Sequence, residues 1–219
     1  MPTRKRPPGT LVLLVRHGQT PTTGRVLPGR APGLHLSAAG ARQAENAAAR
    51  LSGLPLAALY TSPLERAQET AAPTAAATGL VPVVEPDLFE CDFGEWTGES
   101  LATLARRKEW RALMTSPSTF RFPGGESLAE LEARMVSLLD RLRGAHPDGV
   151  VACFTHADPI RAALTYAVGA PLDAFHRVNV GTGSVSVVRF PHDAPPLVLG
   201  VNSLHGPLDD LVPSTGSAV

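Results

Sequence analysis

The chain has 219 residues, of which 43% are hydrophobic and 18% are charged, and its formal net charge is zero. This length and composition are ordinary for one α/β domain whose core needs no disulfide or metal support. The balanced charge argues against a general nucleic-acid or membrane binder, since both need a basic excess. We therefore expect no nucleic-acid partner and no membrane partner.

The organisation of the chain is predicted as one domain over residues 1–206. It includes a basic N-terminal arm, residues 1–10, and is followed by a flexible tail, residues 207–219, rich in Pro, Ser, Gly and Asp. The apolar run Leu11–Val15 is too short for the core of a signal peptide, and no stretch approaches the ~20 apolar residues of a membrane span. The only cysteines, Cys91 and Cys153, indicate two buried thiols in a reducing cytoplasm, so we expect a cytoplasmic location.

The first half of the chain alternates predicted strands with predicted helices. Leu11–Val15 predicts a buried strand, and the long loop that follows, Gly18–Leu36, is of a length that usually carries function. After it we predict a helix capped by Ser37 and ending near Leu51, a strand over Leu56–Thr61, and a helix beginning at Ser62-Pro63. Pro73 should kink or split that helix.

The second half continues the alternation after an irregular segment. In chain order the pattern predicts a strand at Val81–Val84, an irregular stretch at 89–98, helix from near Ser100 until before Pro117, an amphipathic helix from Ser127, a strand at Val150–Thr155, a helix at Pro159–Val168, and strands at Ser184–Phe190 and Leu197–Val201. The predicted fold class is therefore α/β, a three-layer sandwich with a mainly parallel central sheet flanked by helices on both faces.

A histidine follows the carboxyl end of each of two predicted strands. His17 follows the first strand, and His156 follows the strand Val150–Thr155. The carboxyl ends of parallel strands lie on one edge of a sheet, so the two imidazoles are expected to converge on one pocket. A neutral histidine can accept a phosphoryl group, and the neighbouring Arg16 offers a guanidinium suited to phosphate oxygens. The alternative is that each histidine is only a structural strand end.

Two further residues extend this anion site. Arg66 falls in the first turn of the helix after the second strand, where it would form a clamp with Arg16; the alternative is a surface arginine paired with Glu65 or Glu69. Glu90 lies in an aromatic, glycine-containing loop that would desolvate its carboxyl and raise its pKa, as a general acid requires. Asp92 and Glu95 are rivals for that role.

Five segments, in order, resemble the histidine phosphatase superfamily in its phosphoglycerate-mutase-like branch. They are Arg16-His17-Gly18-Gln19-Thr20, Ser62 to Thr70, Phe89-Glu90 with Gly94-Glu95-Trp96-Thr97-Gly98, Pro123-Gly124-Gly125-Glu126-Ser127, and Thr155-His156. The resemblance implies that His17 is the phosphoryl-accepting nucleophile, that Arg16, Arg66 and His156 bind the phosphate, and that Glu90 is the proton donor. It also implies catalysis without a metal or other cofactor, and it is compatible with a homodimer.

The chain departs from the family pattern at a few positions. Many relatives have a phosphate-binding Asn a few residues after Arg-His-Gly, whereas this chain has Pro21-Thr22-Thr23-Gly24, so Thr23, or Thr22 if the loop is shifted, is the candidate replacement. Ala157 follows the second histidine in place of the usual Gly, and Gln19 replaces a frequent Glu. For the Pro-Gly-Gly-Glu-Ser segment, helix capping by Ser127 is favoured over phosphate contact.

The leading functional hypothesis is a phosphatase that acts on a phosphomonoester of a small soluble metabolite. A phosphoglycerate-type mutase is the alternative, disfavoured by the short interval between Glu90 and His156, and a non-catalytic phospho-ligand binder is the third. Specificity is expected from Gly18–Leu36 and Thr97–Phe122. Arg106, Arg107, Lys108 and Arg111 in the latter segment predict a solvated helix face, with a substrate-carboxylate reader as the alternative.

Overall fold

One six-stranded sheet forms the centre of the computed structural model, which describes residues 9–209. Its strands are β1 (Thr10–Arg16), β2 (Leu56–Thr61), β3 (Val83–Val84), β4 (Val150–Thr155), β5 (Val185–Phe190) and β6 (Leu197–Ser203). The spatial order is β3-β2-β4-β1-β5-β6, with the first four strands mutually parallel and the β1–β5 and β5–β6 pairs antiparallel. The sheet is therefore mainly parallel, which confirms the predicted fold class.

Helices cover both faces of the sheet. They are α1 (Ala38–Leu51), α2 (Glu65–Thr78), α3 (Leu101–Leu104), α4 (Lys108–Thr115), α5 (Leu128–Ala145) and α6 (Ala157–Ala167), with 3₁₀ turns at Pro86–Leu88, Gly94–Trp96, Pro117–Thr119 and Leu172–Arg177. Successive β1 residues point to opposite faces: Val12 and Leu14 join the core under α5 and α6, while Leu13 and Val15 join the core under α1. This arrangement is the three-layer sandwich.

The helix after β2 differs from its prediction at two points. It begins at Glu65, not at Ser62-Pro63, because the Ser62 hydroxyl accepts the Leu64 backbone N–H in a tight turn before the helix. The helix is also not split at Pro73 but continues to Thr78, since a proline removes a single backbone donor and the buried Ala67 and Ala71 still anchor this face of α2 to the core.

Other boundaries moved by a few residues. Helix α6 starts at Ala157, two residues early, because Pro159 is tolerated in a first turn, where backbone donors have no partner within the helix. The predicted helical stretch after Ser100 is two short helices, α3 and α4, and β3 is restricted to two residues. Ser127 caps α5 in a capping box with Glu130, as predicted.

The described part of the chain includes only a little of the predicted arm and tail. Thr10 opens β1 and Leu208 is buried against the α1 side of the sheet, whereas residues 1–8 and 210–219 lie outside the described residues. Within residues 9–209, no helix is both long and apolar enough to cross a membrane. Cys91 and Cys153 are both buried and free, as predicted.

Candidate active site

The two predicted strand-end histidines are neighbours in the structure. β1 and β4 are adjacent and parallel, with Arg16 opposite Thr155, so His17 and His156 follow at the same level of the sheet edge. The His17 backbone N–H donates to the Thr155 carbonyl at 2.9 Å, and the two imidazole centroids lie 5.1 Å apart. The two rings are therefore neighbours, as expected, but only His17 lines the cavity at this edge.

His17 is held as a neutral imidazole with one nitrogen free. Its Nδ1 lies 2.7 Å from the Gly18 carbonyl oxygen, which fixes the proton on Nδ1 and leaves the Nε2 lone pair available. Burial and the nearby charges of Arg66 and Arg16 lower the pKa of His17 to about 3, so the ring is neutral at pH 7. A neutral ring with a free Nε2 is the form that can attack phosphorus.

The backbone after His17 is fixed by close packing against α1. A Cβ on Gly18 would lie 2.4 Å from the Gly40 carbonyl oxygen, and a Cβ on Gly40 would lie 2.0 Å from that of Gln19. The Gly18 N–H also donates to the Thr70 hydroxyl of α2 at 3.0 Å. Both helices on this face therefore position the nucleophile candidate.

Two guanidinium groups lie in the site with no carboxylate at ion-pair distance among residues 9–209. Arg66 is fully buried and donates from Nη2 to the Gly29 carbonyl at 2.7 Å, while Arg16 donates from Nη1 to the Val180 carbonyl at 2.6 Å. Among residues 9–209, Nε and Nη1 of Arg66 and Nε of Arg16 have no hydrogen-bond partner. Buried donors without partners are costly, and their presence indicates that an anion completes the site.

Arg66 is not the surface ion-pair arginine of the alternative interpretation. The Glu65 carboxylate accepts the Gly33 backbone N–H at 3.0 Å, and the Glu69 carboxylate accepts the Leu36 N–H at 2.8 Å. Glu69 also contacts His35. These two carboxylates hold the Gly18–Leu36 loop against α2, which leaves Arg66 to point inward.

A serine that the sequence analysis treated only as a helix start orients His156. The Ser62 Oγ lies 2.8 Å from His156 Nε2, and the same oxygen accepts the Leu64 N–H at 3.3 Å. The Ser62 hydroxyl can donate to Nε2 or accept from it, and where it donates, His156 carries its own proton on Nδ1. Nδ1 has no hydrogen-bond partner among the described residues, so in that tautomer it is a donor available to phosphate.

Glu90 is the buried carboxyl of the aromatic loop, and its two rivals have other roles. Glu90 is 7% exposed, and burial followed by the charge of Asp158 raises its pKa to about 7. The Asp92 carboxylate accepts the Gly94 N–H at 3.0 Å and closes a turn, while Glu95 is exposed on the surface. Of the three acids in this loop, only Glu90 lines the same cavity as His17.

A second carboxylate that sequence reasoning missed holds the Glu90 loop in place. Glu126 accepts hydrogen bonds from Arg30, from Arg134 and from the Asp92 backbone N–H. Arg30 also donates from Nε to the Glu90 carbonyl at 2.8 Å. The Pro-Gly-Gly-Glu-Ser segment thus caps α5 through Ser127 and anchors the Glu90 loop through Glu126. In the sequence, the only indication of this second role is that Glu126 is the one acid between the two glycines and the capping serine.

Thr23 lies at the cavity, and Thr22 is not among the residues that line it. Thr23 Oγ1 accepts the Thr20 backbone N–H at 2.9 Å and lies 3.0 Å from the Thr20 hydroxyl. Thr22 Oγ1 lies 3.3 Å from the Thr20 hydroxyl. The geometry favours Thr23 as the replacement for the missing Asn, and its contact with phosphate stays a prediction.

One cavity of about 360 Å³ collects most of these groups. Its polar lining consists of Arg16, His17, Thr20, Thr23, Glu90, Asp158, Arg161 and His176. Arg66 and His156 are buried and do not line it; the charge of Arg66 acts to lower the pKa of His17 and of Glu90, and the His156 ring centroid lies 5.1 Å from that of His17. Asp158, Arg161 and His176 are site residues that sequence reasoning missed, because nothing in their local pattern distinguishes them from surface charges.

Metal-ligating side chains form no cluster within residues 9–209. No group of three or more His, Cys, Asp or Glu side chains there is arranged to hold an ion.

Comparison with known proteins gives a consistent picture. A sequence model of the histidine phosphatase superfamily (branch 1) matches residues 12–203. The chain is 31% identical to phosphoserine phosphatase 1 of Hydrogenobacter thermophilus over 183 residues, covering 81% of this chain and 85% of that protein. It is also 35% identical to the bifunctional protein Rv2228c of Mycobacterium tuberculosis over 203 residues, which is 88% of this chain and only 54% of that relative's length.

A solved structure shares the fold. The mycobacterial glucosyl-3-phosphoglycerate phosphatase Rv2419c superposes with a TM-score of 0.80 at 25% identity, and the match covers 88% of this chain and 98% of that one.

Proposed function

This chain belongs to the histidine phosphatase superfamily, and we propose that it hydrolyses the phosphomonoester of a small soluble metabolite through a phosphohistidine on His17. The observation that carries the proposal is the neutral His17 with a free Nε2, placed in one cavity with the protonatable Glu90. The unpartnered donors of Arg16, Arg66 and His156 support a phosphoryl group at the same place.

In the first step, His17 Nε2 attacks phosphorus while the bond from phosphorus to the ester oxygen breaks. Glu90 gives its proton to that oxygen, so the alcohol leaves neutral and Glu90 becomes a carboxylate. The guanidinium groups of Arg16 and Arg66 and the Nδ1–H of His156 stabilise the charge on the phosphoryl oxygens as the transition state forms. These positive groups supply the charge neutralisation, so we propose that the reaction needs no metal.

In the second step, water attacks phosphorus and the bond to His17 Nε2 breaks. The Glu90 carboxylate takes the proton of the attacking water, which restores the acid for the next cycle. Inorganic phosphate then leaves, and His17 is again neutral. We also place this activity in the cytoplasm, because the buried thiols of Cys91 and Cys153 remain unpaired.

The experiment is hydrolysis of p-nitrophenyl phosphate by the purified protein in the presence of a chelator. We expect turnover that disappears in His17→Ala and persists in the control His205→Ala, which removes an exposed histidine. Brief mixing with labelled substrate followed by denaturation should trap an acid-labile phosphoenzyme in the wild-type protein only. Absence of turnover with any phosphomonoester in the folded protein would refute the proposal, and loss of turnover on chelation would refute its metal-free form.

A further inference from the structure

Much of the lining of this cavity is apolar. The loop after β1 contributes Val26, Leu27 and Pro28 to it. Helix α4 contributes Trp110, Leu113 and Met114. Both segments expected to set specificity, Gly18–Leu36 and Thr97–Phe122, thus line the cavity, and both present hydrocarbon to it.

Helix α4 presents two different faces. Trp110, Leu113 and Met114 recur at helical spacing and line the cavity, whereas Lys108 and Arg111 are not among its lining residues. Arg107, which precedes the helix, stacks over Trp96 and pairs with Glu99. The basic cluster is therefore not positioned to bind a carboxylate or a second phosphate of the substrate.

The remaining polar groups that line the cavity are already paired. Arg161 donates from Nη1 to Asp158 at 2.7 Å and from Nε to the Val178 carbonyl at 3.1 Å. His176 has its Nε2 3.1 Å from the Leu113 carbonyl, and burial lowers its pKa, so it is neutral at pH 7. Within residues 9–209, Arg16 beside His17 is the one cation lining this cavity that has no acidic partner.

We propose that the substrate is the phosphomonoester of an apolar alcohol, with an aryl or branched alkyl group seated against Leu27, Trp110, Leu113 and Met114. This inference rests on the proposed phosphatase function and names its substrate class. A second anionic group on the substrate would lie against apolar side chains or beside the Asp158 carboxylate. The free energy needed to desolvate that group would not be offset there, because no unpaired positive charge is available to it. Phosphorylated sugar acids are thus poor substrates.

The test compares esters that share a primary-alcohol leaving group and differ only in the rest of the molecule. The panel is 3-phenylpropyl phosphate, glycerol 3-phosphate and 3-phosphoglycerate, with phosphoserine as a zwitterionic member. We expect kcat/KM to be at least about tenfold higher for the phenylpropyl ester than for any of the others, because burying even a few methylene groups is worth that factor.

Variants of the cavity wall provide an independent measurement. Met114 is 44% exposed, so its replacement should leave the fold intact. Met114→Lys should shift the ratio of kcat/KM for the phenylpropyl ester over 3-phosphoglycerate about tenfold toward 3-phosphoglycerate, and Met114→Gln should shift it less. Arg111→Gln, on the other face of α4, is the matched control and should leave the ratio unchanged.

Preference of the wild-type protein for 3-phosphoglycerate or phosphoserine, or a ratio that Met114→Lys does not move, would overturn the substrate class while leaving the phosphatase function standing. Failure to hydrolyse every ester, including p-nitrophenyl phosphate, would overturn the phosphatase function itself.

Discussion

Replacement of Glu90 by Gln tests the proposed acid without changing the shape of the side chain. Glu90 has a pKa of about 7, so at pH 7 about half of the free protein carries the proton needed by the leaving oxygen. An alkanol oxygen is far more basic than this carboxyl, so proton transfer to it is strongly favourable in the transition state. General acid catalysis of this kind contributes about 10²- to 10⁴-fold, or about 3–5 kcal/mol of barrier.

The leaving group decides how much of that factor is lost. Nitrophenolate is a stable anion that needs little protonation, so Glu90→Gln should slow p-nitrophenyl phosphate by less than about tenfold, against about 10²- to 10⁴-fold for a primary alkyl phosphate. The comparison uses kcat/KM, which reports only steps up to formation of the phosphoenzyme. Glu90→Gln also removes the proposed base of the second step, but the rate of that step does not affect kcat/KM. Glu95→Gln, an exposed acid of the same loop, is the control.

The pH profile gives a second readout of the same group. The acid form of Glu90 is present below its raised pKa, so kcat/KM for the alkyl ester should fall as pH rises through about 7, by roughly tenfold per pH unit above it. His17, with its pKa lowered to about 3, stays neutral across the range and contributes no limb there. Equal slowing of both substrates by Glu90→Gln, or a descending limb that survives the substitution, would refute Glu90 as the acid.

Two further substitutions test how the site is held. Ser62→Ala should lower kcat/KM about tenfold, because it releases His156 from the tautomer with its proton on Nδ1. The ¹⁵N NMR shifts of the His156 imidazole should then move toward those of a tautomer mixture, and Ser62→Thr should restore both kcat/KM and the shifts. Unchanged shifts in Ser62→Ala would contradict the orienting role of Ser62. Arg66→Met should abolish turnover yet change the free energy of unfolding in phosphate-free buffer by less than about 1 kcal/mol, because removal of two buried donors without partners offsets loss of the hydrogen bond to the Gly29 carbonyl. Added phosphate should then stabilise only the wild-type protein in denaturant titrations, and an Arg66→Met protein destabilised by more than that amount in phosphate-free buffer would count against that reasoning.

Much of the site was predictable because its key residues follow strands. An apolar run that ends in a histidine marks both the strand and the edge at which the side chain emerges, and parallel pairing then brings His17 and His156 to one level. Arg66 was predictable by the same logic, one turn into the next helix. The order of the family motifs added the roles that spacing alone left open.

The choice of acid needed the fold. Glu90, Asp92 and Glu95 lie within six residues of one another in the same kind of local sequence, and they differ only in what surrounds them. Burial and the Glu126 network place Glu90 inside the cavity, while Asp92 closes a turn and Glu95 faces solvent. Desolvation depends on residues far away in the chain, which no local pattern reports.

Local periodicity and strand direction were enough to predict the alternation of strands and helices, the sheet edge that carries chemistry, and the Arg16-His17 pair. The contact of Ser62 with His156, the Glu126 network around the Glu90 loop, and the joining of α4 and the loop after β1 in one cavity lining arise only in the tertiary structure. These features are contacts between side chains or segments brought together by folding, and hydrogen bonds and burial are set by such distances in space.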